Sequence, residues 1–217
     1  MENLRAAWTA LQFVGVMMYP LLFLGMLALI ILLDKTFVYW RYARLPAGLF
    51  TLIETYDFSW KDLEQHLERL GPHNYFGRFF HVILDNRDKP VWWVESRAGD
   101  EAQLIEKALS RGLWILETIV TAAPLLGLLG TIAGMMNAFS IISGKGLVEP
   151  AAITGGVAQA LIATAMGICI ALVALFVFNF FSRLQSQTLD EMERLGTRLM
   201  DHIRLDQQGT EVGGETT

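Results

Sequence analysis

The chain has 217 residues, of which 53% are hydrophobic and 18% are charged, and its formal net charge at pH 7 is -5. This modest charge is spread over both signs and gives no basic surface of the kind that binds nucleic acid. The hydrophobic fraction is high for a soluble globule, which points to a membrane protein.

Three long stretches contain no Asp, Glu, Lys or Arg. They cover 6–33, 118–144 and 150–182, and each exceeds the roughly 20 residues that a helix needs to cross a hydrocarbon core about 30 Å thick. Buried helices of soluble proteins, which are the alternative, rarely run this long without a charge. The sequence therefore predicts an all-α integral membrane protein with three transmembrane helices.

The first apolar run predicts a membrane anchor over 13–33, preceded by a periplasmic segment at 1–12. Its apolar core is too long for a signal-peptide h-region, and no small-residue cleavage site follows Asp34. Pro20 is expected to kink the helix within its first two turns. The bulky remainder favours contact with lipid, and packing on a neighbouring subunit is the alternative.

Basic residues concentrate on one side of the predicted helices. The opposite side carries only Arg5 and Lys145. By the positive-inside rule, the N-terminus is predicted to be periplasmic and the C-terminus cytoplasmic. The basic residues near the cytoplasmic ends of the predicted membrane helices are Lys35, Arg41, Arg44, Lys107, Arg111, Arg183, Arg194, Arg198 and Arg204.

The segment at 34–117 is predicted to be a helical cytoplasmic domain. Its apolar residues recur at spacings of three and four, and Ser59 with Asp62 gives a weak capping-box pattern. A second helical segment is expected over 76–84. A third begins near Val91, and its continuation into the second membrane helix is left open.

The later boundaries follow from the second and third apolar runs. Membrane helices are predicted at 118–143 and 154–182, joined by a periplasmic loop at 144–153. A cytoplasmic helix at 183–205 is expected to prolong the third membrane helix as one rod, because its apolar residues keep to one stripe. The tail at 206–217 is rich in Gly, Glu and Thr and is predicted to be disordered.

Small residues form a stripe along each of the last two membrane helices, which favours close helix packing. Each stripe also carries one hydroxyl, at Thr131 and Thr164, for contact with an ion, a water or a carboxylate. Back-bonding to a carbonyl one turn earlier is the alternative role of each hydroxyl. Gln159 is the other polar group and points away from Thr164. The predicted packing residues are Pro124, Gly127, Gly130, Gly134, Ala160, Gly167 and Ala171.

Other candidate chemistry is sparse. Cys169 is the single cysteine, so it forms no intramolecular disulfide. The sequence shows no P-loop, no nucleophile paired with a base and no metal-ligand spacing. We therefore expect no enzymatic activity, no metal and no cofactor. The histidines without ligand spacing are His66, His73, His81 and His202.

Two sequence blocks resemble the MotA/TolQ/ExbB proton channel family, and within it the ExbB/TolQ branch. They are APLLGLLGTIAGMMNAF at 123–139 and GVAQALIATAMGICIALVALFVFN at 156–179. The resemblance extends to the whole topology, including the large loop after the first helix. It implies a subunit that forms a ring, usually a pentamer, in the inner membrane of a Gram-negative bacterium. The ring would enclose single-span helices of an ExbD/TolR-like partner whose aspartate carries the proton, and a TonB/TolA-like protein would receive the work.

By position, the resemblance assigns Thr131, Thr164 and Gln159 to the proton pathway or pore lining, where the two threonines would serve the partner's aspartate. Gln159 stands where the family has a glutamate, and the proline of the family's third-helix segment is replaced near Ala171. A relay through that glutamate cannot operate in this chain. Either the glutamate is not the essential carrier, or the chain belongs to a divergent subgroup with altered coupling.

The sequence therefore predicts a subunit of a motor driven by the proton-motive force. The three membrane helices contain no carboxylate, so the titrating group must come from a partner. The alternatives are a non-conducting structural scaffold of the same fold and a self-sufficient ion channel. The choice of proton over sodium and the system driven, whether iron or cobalamin uptake, envelope integrity or gliding, stay open.

Overall fold

The computed structural model describes residues 17–43, 52–53, 58–70, 73–145 and 150–214. All regular secondary structure in these ranges is helical, which confirms the predicted all-α fold. The helices with defined bounds are α1 (Met18–Tyr42), α2 (Trp60–Glu68), α3 (Tyr75–Asp85), α4 (Val91–Ser110), α5 (Leu113–Lys145) and α6 (Pro150–Gly214).

Three stretches of the described helices are long and apolar enough to cross a membrane. They lie within Met18–Tyr42, Val91–Phe139 and Thr154–Gln208, as the sequence predicts. Many of their large apolar side chains are exposed in the single chain, including Phe23, which is 58% exposed, and Phe176, which is 72% exposed. Such a surface requires an apolar environment. The predicted segment at 1–12 lies outside the described residues.

The chain divides into two compact units. The first, which we call the membrane unit, comprises Met1–Leu33 and Gly112–Phe181. The second, which we call the peripheral unit, comprises Asp34–Arg111 and Ser182–Thr217. Helices α1 and α6 contribute to both units.

Within the membrane unit, α1 packs on both other helices. A Cβ added at Gly25 would lie 3.4 Å from Cδ1 of Ile170 on α6, and one added at Gly130 of α5 would lie 3.4 Å from Cβ of Met17. Leu21 and Ile31 are buried on the inner face of α1. The sequence favoured lipid contact for this helix, but one of its faces contributes to the core of its own chain.

Pro20 lies in the first turn of α1. The first N–H groups of a helix have no intrahelical partner, so the missing donor of Pro20 breaks no bond there. The kink predicted from this residue therefore has no cause within the described helix.

The peripheral unit is a bundle of α2, α3, α4 and the C-terminal half of α6. Helix α3 packs on α2 and on α4. Asn74 caps α3 by accepting hydrogen bonds from the N–H groups of Phe76 and Gly77. Ser59 precedes α2 but makes no side-chain cap bond, so the predicted capping box does not form. Fully buried side chains of this core include Leu63, Leu67, Phe80, Ile83, Val94, Ile105, Leu109, Leu195 and Leu199.

Helices α4 and α5 are separated by a two-residue break at Arg111 and Gly112. Gly112 has φ 85°, a left-handed conformation that glycine adopts without steric cost. The continuous helix that the sequence left open is therefore interrupted at this point.

Lys35 is buried in the peripheral unit, with 1% of its surface exposed. Its Nζ donates a hydrogen bond of 2.6 Å to the carbonyl of Leu109, in the last turn of α4. A cation at this end complements the helix dipole and satisfies a carbonyl that has no intrahelical donor. Lys35, which the sequence analysis counts among the basic residues of the predicted cytoplasmic side, thus has a structural role.

Helix α6 continues without interruption from Pro150 to Gly214, which confirms the predicted rod. The prediction of a disordered tail at 206–217 is wrong for 206–214, because these residues prolong the helix. Trp60 Nε1 donates to Asp206 Oδ2 at 2.7 Å, and Gln207 Nε2 donates to the Lys89 carbonyl at 2.9 Å. These bonds tie the last turns to the bundle. Residues 215–217 lie outside the described range.

Replacement of Gly112 tests the break between α4 and α5. We expect Gly112→Ala to lower the free energy of unfolding by about 1–2 kcal/mol, because a Cβ disfavours positive φ. Gly112→Asn should lower the free energy of unfolding by less, since asparagine tolerates this conformation better than alanine. Thermal unfolding in detergent micelles measures both, and equal melting temperatures for all three proteins would contradict the argument.

Candidate functional site: the seam between α5 and α6

The small residues of α5 and α6 face one another along an antiparallel line of contact, which we call the seam. A Cβ added at Gly167 would lie 2.5 Å from the carbonyl oxygen of Ala123. One added at Gly127 would lie 3.0 Å from Cα of Thr164. Both neighbours are backbone atoms, which cannot move aside, so the two helices approach this closely only because these positions have no side chain.

The register of the seam continues toward the other end of the pair. A Cβ added at Gly134 would lie 3.0 Å from Cβ of Ala160, and one added at Gly156 would lie 2.7 Å from Cβ of Ala138. The predicted packing positions Gly127, Gly130, Gly134, Ala160 and Gly167 all belong to this line. Ala171 is buried further along α6, and Pro124 is half-buried in the interior of α5.

The two threonine hydroxyls are bonded differently. Thr164 is half-buried, and its Oγ1 donates across the seam to the carbonyl of Gly127 at 3.0 Å. Thr131 Oγ1 donates within its own helix, to the carbonyl of Leu128 at 2.6 Å. The alternative role of local back-bonding therefore applies to Thr131, while Thr164 links the two helices.

Thr131 and Thr164 lie within about one helical turn of each other along the seam. Gly127 faces Thr164, and Thr131 follows Gly127 by one turn, a rise of about 6 Å. In the antiparallel register this places Thr131 at the level of Gln159 and Ala160. Gln159 is half-buried and lies about 100° around α6 from Ala160, which faces the seam. The structure therefore brings the two hydroxyls within a turn of each other and places Gln159 at their flank.

The arrangement has a definite hydrogen-bonding capacity. A hydroxyl has one proton to donate, and in both threonines that proton is directed to a backbone carbonyl. Each oxygen keeps lone pairs that can accept. The seam can thus accept a hydrogen bond from an acid or a water, but its own side chains do not titrate.

The polar atom of the seam that sequence reasoning missed is the Gly127 carbonyl oxygen. The spacing of small residues identified Gly127 as a packing position, and its carbonyl also receives the proton of Thr164. A backbone acceptor leaves no side-chain signal. The only pointer in the sequence is that a threonine and a glycine lie on facing stripes.

The profile of the MotA/TolQ/ExbB proton channel family matches residues 73–194. This range is more than half of the chain and includes the seam with Thr131, Gln159 and Thr164. The chain belongs to the MotA/TolQ/ExbB proton channel family.

Relatives carrying the ExbB name support the ExbB/TolQ branch of the family. The biopolymer transport protein ExbB-like 1 of Synechocystis is 32% identical over 191 residues, which cover 85% of this chain and 74% of that protein. ExbB of Aquifex aeolicus is 40% identical over 95 residues, or 44% of this chain and 64% of the relative. ExbB of Xanthomonas campestris is 38% identical over 93 residues, or 43% and 37% of the two chains. The last two matches thus span less than two thirds of the relatives' length.

The chain is thus a member of a proton channel family, and its three apolar helices together with its ExbB relatives identify it as an integral protein of the inner membrane. In the seam, a side-chain hydroxyl of α6 meets a backbone carbonyl of α5 within the membrane unit. The seam is therefore our candidate site for this family member.

Adding one methyl group at the seam tests its closeness. We expect Gly167→Ala to lower the melting temperature, because the new Cβ would lie 2.5 Å from the Ala123 carbonyl oxygen and the helices must separate. The cost should be about 1–3 kcal/mol.

The matched control is Gly155→Ala on the same helix, where an added Cβ would have no atom within 4 Å. Its melting temperature should stay the same or rise, since alanine favours helix by up to about 1 kcal/mol over glycine. Equal stability of the two variants would contradict the close seam.

Proposed function

We propose that this chain is the ring-forming subunit of an inner-membrane motor of the ExbB type, driven by the proton-motive force. Copies of the chain, as a homopentamer, would surround the membrane helices of an ExbD/TolR-like single-span partner that carries an aspartate. The ring would pass work to a TonB/TolA-like protein that spans the periplasm. The proposal assigns the chain no catalysed reaction. The observation that supports it is a set of three apolar runs without Asp, Glu, Lys or Arg, in which the seam offers two hydroxyl oxygens.

A partner must supply the titrating group. The apolar runs at 6–33, 118–144 and 150–182 contain no ionisable carboxylate or amine. An ionisable group within a bilayer costs several kcal/mol and is found where protons or ions cross. Gln159 is neutral and cannot carry a proton in place of an acid. An aspartate brought by a second polypeptide completes such a site.

The hydrogen bonds of the seam favour one protonation state of that aspartate. A protonated carboxyl has an O–H to donate, and the oxygens of Thr131 and Thr164 are free to accept it. An ionised carboxylate needs donors, so a hydroxyl would have to leave its carbonyl to serve it. For Thr164 this means leaving the Gly127 carbonyl and loosening a link between the two helices.

This difference provides the proposed coupling. Protonation of the aspartate lets it lie against the hydroxyls, and loss of the proton on the other side disfavours that position. Movement of one charge through the full membrane potential supplies about 2.3 kcal/mol per 100 mV. That is comparable with the few hydrogen bonds exchanged in one step.

The orientation in this proposal follows from the basic residues. They favour a periplasmic N-terminus and a cytoplasmic C-terminus. The peripheral unit would then face the cytoplasm, and the segment that joins α5 to α6 would face the periplasm. Protons would enter from the side of that segment.

A non-conducting scaffold remains the second candidate, and one observation favours it. The bond from Thr164 to Gly127 links two packed helices and explains this hydroxyl without any proton transfer. A scaffold needs close packing and no acceptor for a moving acid. The two candidates therefore differ in what a hydroxyl contributes beyond stability.

Replacement of Thr164 separates them. Thr164→Val keeps the shape and removes the hydroxyl, whereas Thr164→Ser keeps the hydroxyl. We expect Thr164→Val, and likewise Thr131→Val, to reduce force-dependent transport by roughly tenfold or more, the equivalent of one lost hydrogen bond. Thr164→Ser should retain most of the activity. Transport is measured in cells lacking the native copy and supplied with the partner, and the mass of the purified ring is checked for every variant. Full activity of Thr164→Val with an intact ring would support the scaffold.

Reconstitution tests the need for a partner. Liposomes that contain the chain alone should show no proton flux above that of empty vesicles. Addition of the aspartate-bearing partner should produce flux, and an Asp→Asn change in the partner should abolish it. Flux through the chain alone would instead identify a self-sufficient channel.

A further inference from the structure

The peripheral unit has an open groove between α4 and α6, which we call the α4–α6 groove. It has a volume of about 430 Å³. Its floor is made of small and apolar residues, among them Ala98, Gly99, Ala102 and Gly196. A Cβ added at Gly99 would meet no atom within 4 Å, so the floor is open to a side chain from outside.

The rim of the groove is acidic. Glu95 is neutralised by Arg204, with 2.6 Å between its Oε1 and the guanidinium. Glu106 and Glu193 also line the groove, and neither forms an ion pair within the described part of the chain. Two carboxylates without a counter-charge thus border an apolar floor.

The opposite side of α4 has the complementary character. Trp93, Arg97, Leu104 and Lys107 lie there on one face of the helix, at spacings of four, seven and three, and we call this row the α4 ridge. Leu104 is 57% exposed. The Arg97 guanidinium lies 4.9 Å from the centre of the Trp93 ring and 3.8 Å from the Asp100 carboxylate. Lys107 is exposed and, like Glu106, forms no ion pair within the described ranges. Asp100 lies on the same face and offsets the charge of Arg97, so the uncompensated charge of the ridge is that of Lys107. This charge is positive, whereas the uncompensated charges that border the groove are negative.

We propose that the α4 ridge of one copy of this chain docks into the α4–α6 groove of the next copy. The inference rests on the ring of the proposed function and names the surfaces that join its peripheral units. Because ridge and groove lie on opposite sides of one helix, each copy uses both, and the contact is head to tail. A head-to-tail contact generates a ring when the rotation closes, whereas a self-complementary patch stops at a dimer.

The residue levels on α4 agree with this contact. When two copies of α4 lie parallel and at the same height, as in a ring whose axis runs along them, each residue meets neighbours of similar number. Leu104 of one copy is then within about 3 Å in height of Ala102 in the groove of the next. Lys107 is within about 1.5 Å in height of Glu106. Leu104 fills the floor and the ion pair fixes the register.

Disulfide trapping tests the contact. In a full-length chain with Cys169→Ala, we introduce Ala102→Cys and Leu104→Cys together. The two cysteines are about 200° apart around the helix and cannot bond within one chain. Oxidation of the assembled complex in membranes should give a ladder of covalent species larger than a dimer. Either single cysteine can give at most a dimer.

Two controls sharpen the test. Ser96→Cys with Leu104→Cys puts the second cysteine outside the groove and should give no ladder. Glu106→Lys, added to the trapping pair, should abolish the ladder by opposing Lys107 with a like charge. Adding Lys107→Glu to that variant should restore the ladder, because the pair is re-formed with exchanged signs.

Native mass spectrometry of the unoxidised trapping variant separates this inference from the proposed function. A ring with the ladder and its charge dependence supports the docking. A ring without the ladder overturns the docking and leaves the proposed function standing. A monomer, or a species no larger than a dimer, overturns both.

Discussion

The membrane unit depends on the contact of backbone with backbone between α5 and α6. At Gly127 and Gly167 the helices are so close that a single methyl group would meet carbonyl oxygen or Cα atoms. Lipid provides no hydrophobic force to press two apolar helices together, so the pair relies on packing contacts and on hydrogen bonds between helices. The bond from Thr164 to the Gly127 carbonyl is one of these, and it exists because the glycine lets the two backbones meet. Packing and polar function are thus properties of the same few positions.

The distribution of charge along the chain follows from the solvent that each segment requires. The apolar runs carry no Asp, Glu, Lys or Arg, and the ion pairs of the described chain, such as Arg78 with Glu101 and Arg204 with Glu95, belong to the peripheral unit. Apolar segments of this kind are inexpensive to insert into a bilayer but bring no carboxylate that could bind a proton. In the proposed function, this chain would provide hydroxyl acceptors and a partner would provide the titrating group.

The sequence predicts the spans and the seam because both depend on side-chain type at fixed spacing. Runs without charge identify the three membrane helices, and the glycine and alanine stripes identify Gly127, Gly134 and Ala160 as packing positions. The sequence does not predict hydrogen bonds in which a side chain binds a backbone carbonyl far along the chain. The Thr164 bond and the burial of Lys35 against the Leu109 carbonyl are of this kind. The polar composition of the C-terminal segment also misleads. Trp60 donates a hydrogen bond to Asp206, and Gln207 donates one to the Lys89 carbonyl, and these bonds favour helix in this segment.

The use of the small residues inside one chain has a consequence for assembly. The glycines that allow close approach are occupied in the seam, and the surface left on the membrane unit includes Leu125 and Phe176, which are bulky and exposed. Such side chains contact lipid and protein with similar energy, so they bring copies together without fixing which surfaces meet. Charged pairs in water do fix them, because a wrong pairing opposes like charges. The peripheral unit, with an acidic groove and a basic ridge on opposite sides of α4, has the means to set the register of an assembly that the membrane unit alone leaves undetermined.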